Sequence, residues 1–244
     1  QQRHLKTVGR QVPHRGAAAA RFDTGLHDGQ STSHAAAFAL RRTLQANPDE
    51  FPRDVMELID FFREPQPDQQ VVAVPGAGLR VPIWILGSSL FGAQVAAALG
   101  LPFSFASHFA PQLLHQALAI YRDRFRPSEQ AWNPYVMLGV NIVPADTDAE
   151  ARFLASSGRQ SFASLRAGRP ITLPPPSKEW ERDPLDKTDA TNQTRVSFVG
   201  SPSTIQGQIE EFLAATKADE LIAVAHIYDH TARLHSYELA ASLG

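Results

Sequence analysis

The feature that most constrains this chain is an alternation. Apolar runs of strand length are followed, after short loops, by segments whose apolar residues recur at helical spacing. VPIWILG at 81–87 leads into SSLFGAQVAAALG, PFSFASHF at 102–109 into APQLLHQALAIYRDRF, and PYVMLGVNIV at 134–143 into DAEARFLASS. VSFVG then precedes a helix with Ile205, Ile209, Phe212 and Leu213 on one stripe, and ELIAVAHIY precedes ARLHSYELAAS. Runs without polar alternation are strands covered on both faces, so this order predicts a parallel α/β sheet, as an open doubly wound fold or a barrel.

Local signals mark the element ends. Ser89, the pair Thr147 and Glu150, and Ser201 before Pro202 are helix starts, and Gly100 before Pro102 is a helix stop. Phe91, Val95 and Leu99 share one helical face, as do Leu114, Leu118 and Tyr121. Upstream, a helix is expected at about 53–62 with Val55, Leu58, Ile59 and Phe62 as its apolar face, followed by a short strand at 71–74. Residues 1–20 form an irregular lead-in, and RFDTGL with HAAAFALRRTLQ forms a further strand, loop and helix. The proline-rich, polar segment at about 168–195 is longer than an ordinary connection and is expected to be either a disordered insert or a mobile loop over the single domain 21–244. Trp84, Trp132 and the Phe-rich strands are expected to pack in the core.

Composition narrows function. A net charge of −2, with no basic run among aromatics, leaves nothing to neutralise a nucleic-acid backbone. The absence of Cys removes disulfides and thiolate chemistry and favours a cytoplasmic setting, and no apolar stretch reaches the ~20 residues of a membrane helix.

The sharpest chemical feature is LGSSLFG, 86–92. An apolar strand enters small residues and immediately a helix, so Gly87, Ser88, Ser89, Phe91 and Gly92 can offer amides and hydroxyls to a phosphate at the positive end of the helix dipole. The plainer alternative is a capped helix with no ligand. The turn is neither a Walker loop nor a GxGxxG fingerprint, and no NAD(P)H motif is visible. His108, at the end of its strand, faces a barrel active site if the sheet closes, or is an ordinary hydrogen-bonding residue. His226, Asp229 and His230 carry an HxxxH spacing, but His226 belongs to a strand, so no metal site is assigned.

The blocks VPIWILGSSLFGAQVAAALGLPFSFASHFAP, PYVMLGVNIVPADTDAEA and SFVGSPSTIQGQIEEFLAATKADELI, with RFDTGL and the ALRR helix, resemble successive blocks of the luciferase-like flavin-dependent monooxygenases. The resemblance implies a (β/α)8 TIM barrel of the luciferase-like type, incomplete at the N-terminus. It implies oxygenation of a small organic substrate such as an aldehyde or ketone with O2 and reduced FMN, the latter supplied by a separate flavin reductase, and a homodimer. Deazaflavin F420 stays open as cofactor. The resemblance places the FMN phosphate at Ser88, Ser89 and the helix start through Gly92, and names no catalytic base. Two residues depart from the family pattern. Gly92 stands where a hydroxyl residue is usual, and Asp28, after His27, stands where an arginine usually pairs with the phosphate. The start at Gln1 instead of Met, and five strong strand–helix units where a barrel has eight, lead to the expectation that ~90 further residues precede it. The alternatives are a non-catalytic flavin-binding or structural paralogue and a metal-dependent hydrolase on a similar barrel.

Overall fold

The computed structural model describes residues 50–181 and 196–243. The expected lead-in, RFDTGL, His27, Asp28, the ALRR helix and most of the second half of the 168–195 segment lie outside the described residues. Two compact units hold the rest, one within 11–83 and one running from Trp84 onward.

In the first unit, α1 (Phe51–Phe62) opens with proline in its first turn and ends at Arg63. Its inward stripe is narrower than the sequence pattern: Val55 is buried and Ile59 and Phe62 are half-buried, whereas Leu58 is exposed. Residues 71–74, expected as a strand, form none, because the chain turns there and bonds back onto the end of α1, Gly78 N to Arg63 O and Arg80 N to Phe62 O.

The second unit is β1 (Ile85–Gly87), α2 (Leu90–Leu99), β2 (Phe103–Phe105), a 3-10 turn and α3 (Leu114–Asp123), β3 (Val136–Pro144), α4 (Asp148–Arg166), β4 (Ser197–Gly200), α5 (Pro202–Thr216), β5 (Glu220–Val224) and α6 (His230–Ala241). All pairings are parallel, β1 with β2, β2 with β3, and β3 with both β4 and β5. Asn141 pairs with Ser197 and with Val224, and Leu138 with Phe105 and with Leu221. A strand has two edges, so β2 and β4 lie end to end along one edge of β3 and β5 along the other. The junction between β2 and β4 is bridged by the bond from Val196 N to Ser107 O, 3.0 Å.

Register sorts the side chains. Ile85, Phe103 and Val136 share one face, and all three are buried; Phe103 stacks on Tyr121 of α3 with centroids 5.4 Å apart. Leu86, Ser104, Met137 and Glu220 share the other. The apolar runs are thus covered by helices on the first face.

Helix α2 departs from its expected stripe. Val95 is buried, but Phe91 is exposed and the inward face is Gly92, Ala93, Ala96 and Ala97. Small residues bring the helix close to β1 and β2, and a bulky side chain there would hold it off. Gly100 takes φ 65° as the left-handed cap, and Ser89 and Thr147 accept from Gly92 N and Glu150 N as N-caps. Leu114, Leu118 and Tyr121 of α3 are buried together. Trp84 packs edge-on against Tyr135, while Trp132 is 79% exposed in the loop before β3, where none of the described elements covers it. A second cluster, with Val143, Ala145, Leu154 and Ile227, fills the space between the end of β3, α4 and the β5–α6 turn.

After α4 the chain returns along that helix: Ser177 N donates to Ser156 Oγ, Gln160 donates to Pro175 O, and the buried Arg159 donates to the carbonyls of Trp180 and Glu181. Asp148 ties the start of α4 to that of α5, its Oδ1 accepting from Ser201 N at 2.6 Å. That backbone bond, with those of the Thr204 and Ser201 hydroxyls, holds the carboxyl below its ordinary value of 3.8. A carboxyl depressed in the folded state contributes stability above its unfolded pKa and loses it as pH falls through the folded one. Asp148→Asn is therefore expected to destabilise at neutral pH, with the difference from wild type shrinking below about pH 3.8. Urea midpoints across that range check this; a difference independent of pH would refute it.

Candidate functional site

Two turns meet at the C-terminal ends of β1 and β2. The first is Gly87, Ser88 and Ser89 leading into α2, the second is 106–110, and Ala106 N donates to Gly87 O at 3.0 Å. Around Gly87 no bulky side chain closes in: a Cβ added there would meet only the Cα of Gly92, at 3.8 Å. The small residues of LGSSLFG therefore leave room at the helix start. Ser89 Oγ lies 3.4 Å from Gly92 N, a long cap bond, so Ser89 acts as N-cap as the plainer alternative has it. Gly92 faces Gly87, Ile85 and Phe103, whereas Phe91 turns outward and is exposed. Gly87, Ser88 and Ser89 thus form the turn, with the Cα of Gly92 beside Gly87 and Phe91 directed outward.

His108 lies in the turn beyond β2, which ends at Phe105 and not, as the apolar run suggests, at 109. Strand pairing stops there because β3 takes β4 as its next partner on that edge. The imidazole lies on the backbone of Gly139: a Cβ at 139 would fall 2.3 Å from Nδ1. Nδ1 is buried without a hydrogen-bond partner. Burial pushes its pKa down, and the nearby Gly139 carbonyl opposes this in part. The ring is neutral around pH 7.

The open face between these turns carries Leu86, 69% exposed, the buried Ser104 and Asn141, and, in register along β5, Ile222 and Val224. Gly139 and Asn141 are residues that composition and motif reading passed over. A glycine inside a strand marks a close approach, and an asparagine in an apolar run needs a partner; both signals stand in PYVMLGVNIV.

The possible metal ligands serve other ends. His226 lies beyond the end of β5, not in the strand as expected, because β3 offers no pairing past Val224. It packs on Gly158, where a Cβ would come 2.9 Å from its own. Asp229 Oδ1 caps α6 through Ala232 N, and His230 Nδ1 meets Arg233 at 2.8 Å. Among the described residues no three or more His, Asp or Glu side chains gather in a metal-binding group, and no helix is long and apolar enough to cross a membrane.

Among the described residues, the all-parallel set of strand–helix units, unclosed, with its open turns at the C-terminal strand ends, is an incomplete (β/α) barrel of the class whose sites are built from strand–helix loops. The family model of luciferase-like monooxygenases matches residues 36–220. A luciferase-like monooxygenase of Escherichia coli K12 is 43% identical over 222 residues, 90% of this chain and 66% of its own. The crystal structure of apo-MsnO8 superimposes with TM-score 0.69 at 30% identity, covering 81% of this chain and 61% of that one. The monooxygenase RslO1 from Streptomyces bottropensis shares the fold, with TM-score 0.53 at 18% identity over 86% of this chain and 64% of its own. The chain belongs to the luciferase-like monooxygenase family, and it spans about 66% of the length of the E. coli relative.

Proposed function

We propose that this protein is a flavin-dependent monooxygenase that binds reduced FMN through the phosphate at the Gly87–Gly92 turn and oxygenates a small organic substrate with O2. The observation that carries the proposal is the space beside Gly87, bounded by Gly92 Cα alone, at the start of a ten-residue helix. The residues fit the group: glycines admit an anion to the backbone, Ser88 adds a hydroxyl, and the helix dipole favours negative charge. When bound, reduced FMN supplies the electrons that activate O2. The chain's own residues then have separate tasks. The turn anchors the phosphate, Leu86, Met137 and Ile222 give the barrel interior an apolar wall that excludes water, and His108 presents a neutral imidazole toward the ring or the substrate. The flavin arrives reduced from a separate reductase, and the barrel pairs with a second copy through its helices. Deazaflavin F420, which also carries a phosphate, would use the same turn.

Ser88→Asp tests this. Residue 88 is half-buried in the turn, outside strand and helix, so the fold tolerates the change, while the carboxylate repels a phosphate. FMN affinity, read by quenching of flavin fluorescence on the purified protein, is expected to fall about 10–100-fold, a few kcal/mol of like-charge repulsion at the surface, whereas riboflavin binding stays as it was. Equal binding of FMN and riboflavin, both indifferent to the variant, would sink the proposal.

A further inference from the structure

We infer that Gly139 and Asn141 are positioning residues that hold the His108 imidazole against the open face of β3, ready for the flavin ring or substrate; the inference rests on the function proposed above. Three bonds and one missing side chain make the arrangement. Ser107 Oγ donates to Gly139 O at 2.6 Å, and both residues are buried. Asn141 Nδ2 donates to His108 O at 3.0 Å and to Val196 O at 3.4 Å. The backbone on both sides of the His108 side chain is thus pinned to β3. The ring itself occupies the space that a side chain at 139 would take, with Cε1 2.9 Å and Cγ 3.5 Å from that Cβ position.

A histidine kept for hydrogen bonding would spend its ring nitrogens on partners. Here the main chain of His108 makes the well-formed bond, and buried Nδ1 has only the Gly139 carbonyl beside it, outside good hydrogen-bond geometry. Burial favours the neutral form of the ring.

Gly139→Ala separates position from fold. The atom it displaces is the ring and not the backbone, so the protein is expected to fold, with His108 swung away. The nuclear magnetic resonance signal of the His108 ring, assigned by its loss in His108→Gln, is expected to move and its pKa to rise toward 6.5. With reduced FMN saturating, kcat on an aliphatic aldehyde probe is expected to fall at least tenfold. Asn141→Ala, which cuts the bond to His108 O, should shift the same signal even if Gly139→Ala does not fold. A ring signal unmoved in both variants overturns the inference without reference to flavin; so does unchanged kcat in a variant whose ring has moved. Failure of the wild-type protein to bind FMN overturns the function proposed above, and leaves the ring signal to decide the positioning.

Discussion

Gly100→Ala is expected to destabilise the protein by about 2–5 kcal/mol. The left-handed backbone at φ 65° costs a residue with a Cβ about 1–2 kcal/mol. The added carbon would also fall 2.3 Å from Arg126 O and 2.7 Å from Ser128 Cβ. That loop cannot retreat freely, because Arg126 N donates to Ala97 O and Ser128 Oγ donates to Gly100 O. Relieving the overlap adds the roughly 1–3 kcal/mol typical of overpacking. Gly92→Ala is the matched control: it lies in helical backbone, its Cβ meets nothing nearer than 3.7 Å, and helix propensity alone predicts a gain of up to about 1 kcal/mol. Urea unfolding of both variants checks the contrast. Equal midpoints would show that the α2 cap does not hold the 124–128 loop.

Tyr121→Phe is expected to cost about 2–3 kcal/mol through one atom. The Tyr121 hydroxyl donates to Leu101 O at 2.9 Å and accepts from Tyr135 N at 3.1 Å, joining the chain that enters β2 to the chain that enters β3. Burial pushes its pKa up to about 12, so it remains a donor across the working range. Phenylalanine keeps the stacking on Phe103 and Phe125 and leaves the Leu101 carbonyl and the Tyr135 amide to find other partners, each at up to about 1–3 kcal/mol where water is excluded. Tyr135→Phe loses a half-buried bond to Glu220 and should cost under about 1.5 kcal/mol. If the two variants are equally stable, the bridge between the strands carries no weight.

Much of this architecture is legible in the sequence where the cause is local. The left-handed stop at Gly100, the Thr147 cap and the α3 face of Leu114, Leu118 and Tyr121 follow from residues within a few positions of one another. Strand ends are another matter. PFSFASHF reads as eight strand residues and yields three, because its partner on β3 changes from β2 to β4 at Asn141. No property of residues 106–109 announces that. The α2 face misleads for a related reason: Phe91 is the larger apolar group, but close approach to the sheet selects alanine and glycine. Of the candidate site, the Gly87–Gly92 turn is local and visible. The seat of His108 is not, since Gly139 stands far along the chain and only its lack of a side chain makes the contact.

The end-to-end placement of β2 and β4 on β3 also sets how the chain tolerates change in length. With Ser107 O holding Val196 N and Asn141 spanning both, the turn after β2 and the residue that leads into β4 share a single alignment against β3. One extra residue between Phe105 and Ser107 would not be absorbed in its own loop; the misfit would pass across the seam and slide β4 along its neighbour, carrying the start of α5 with it.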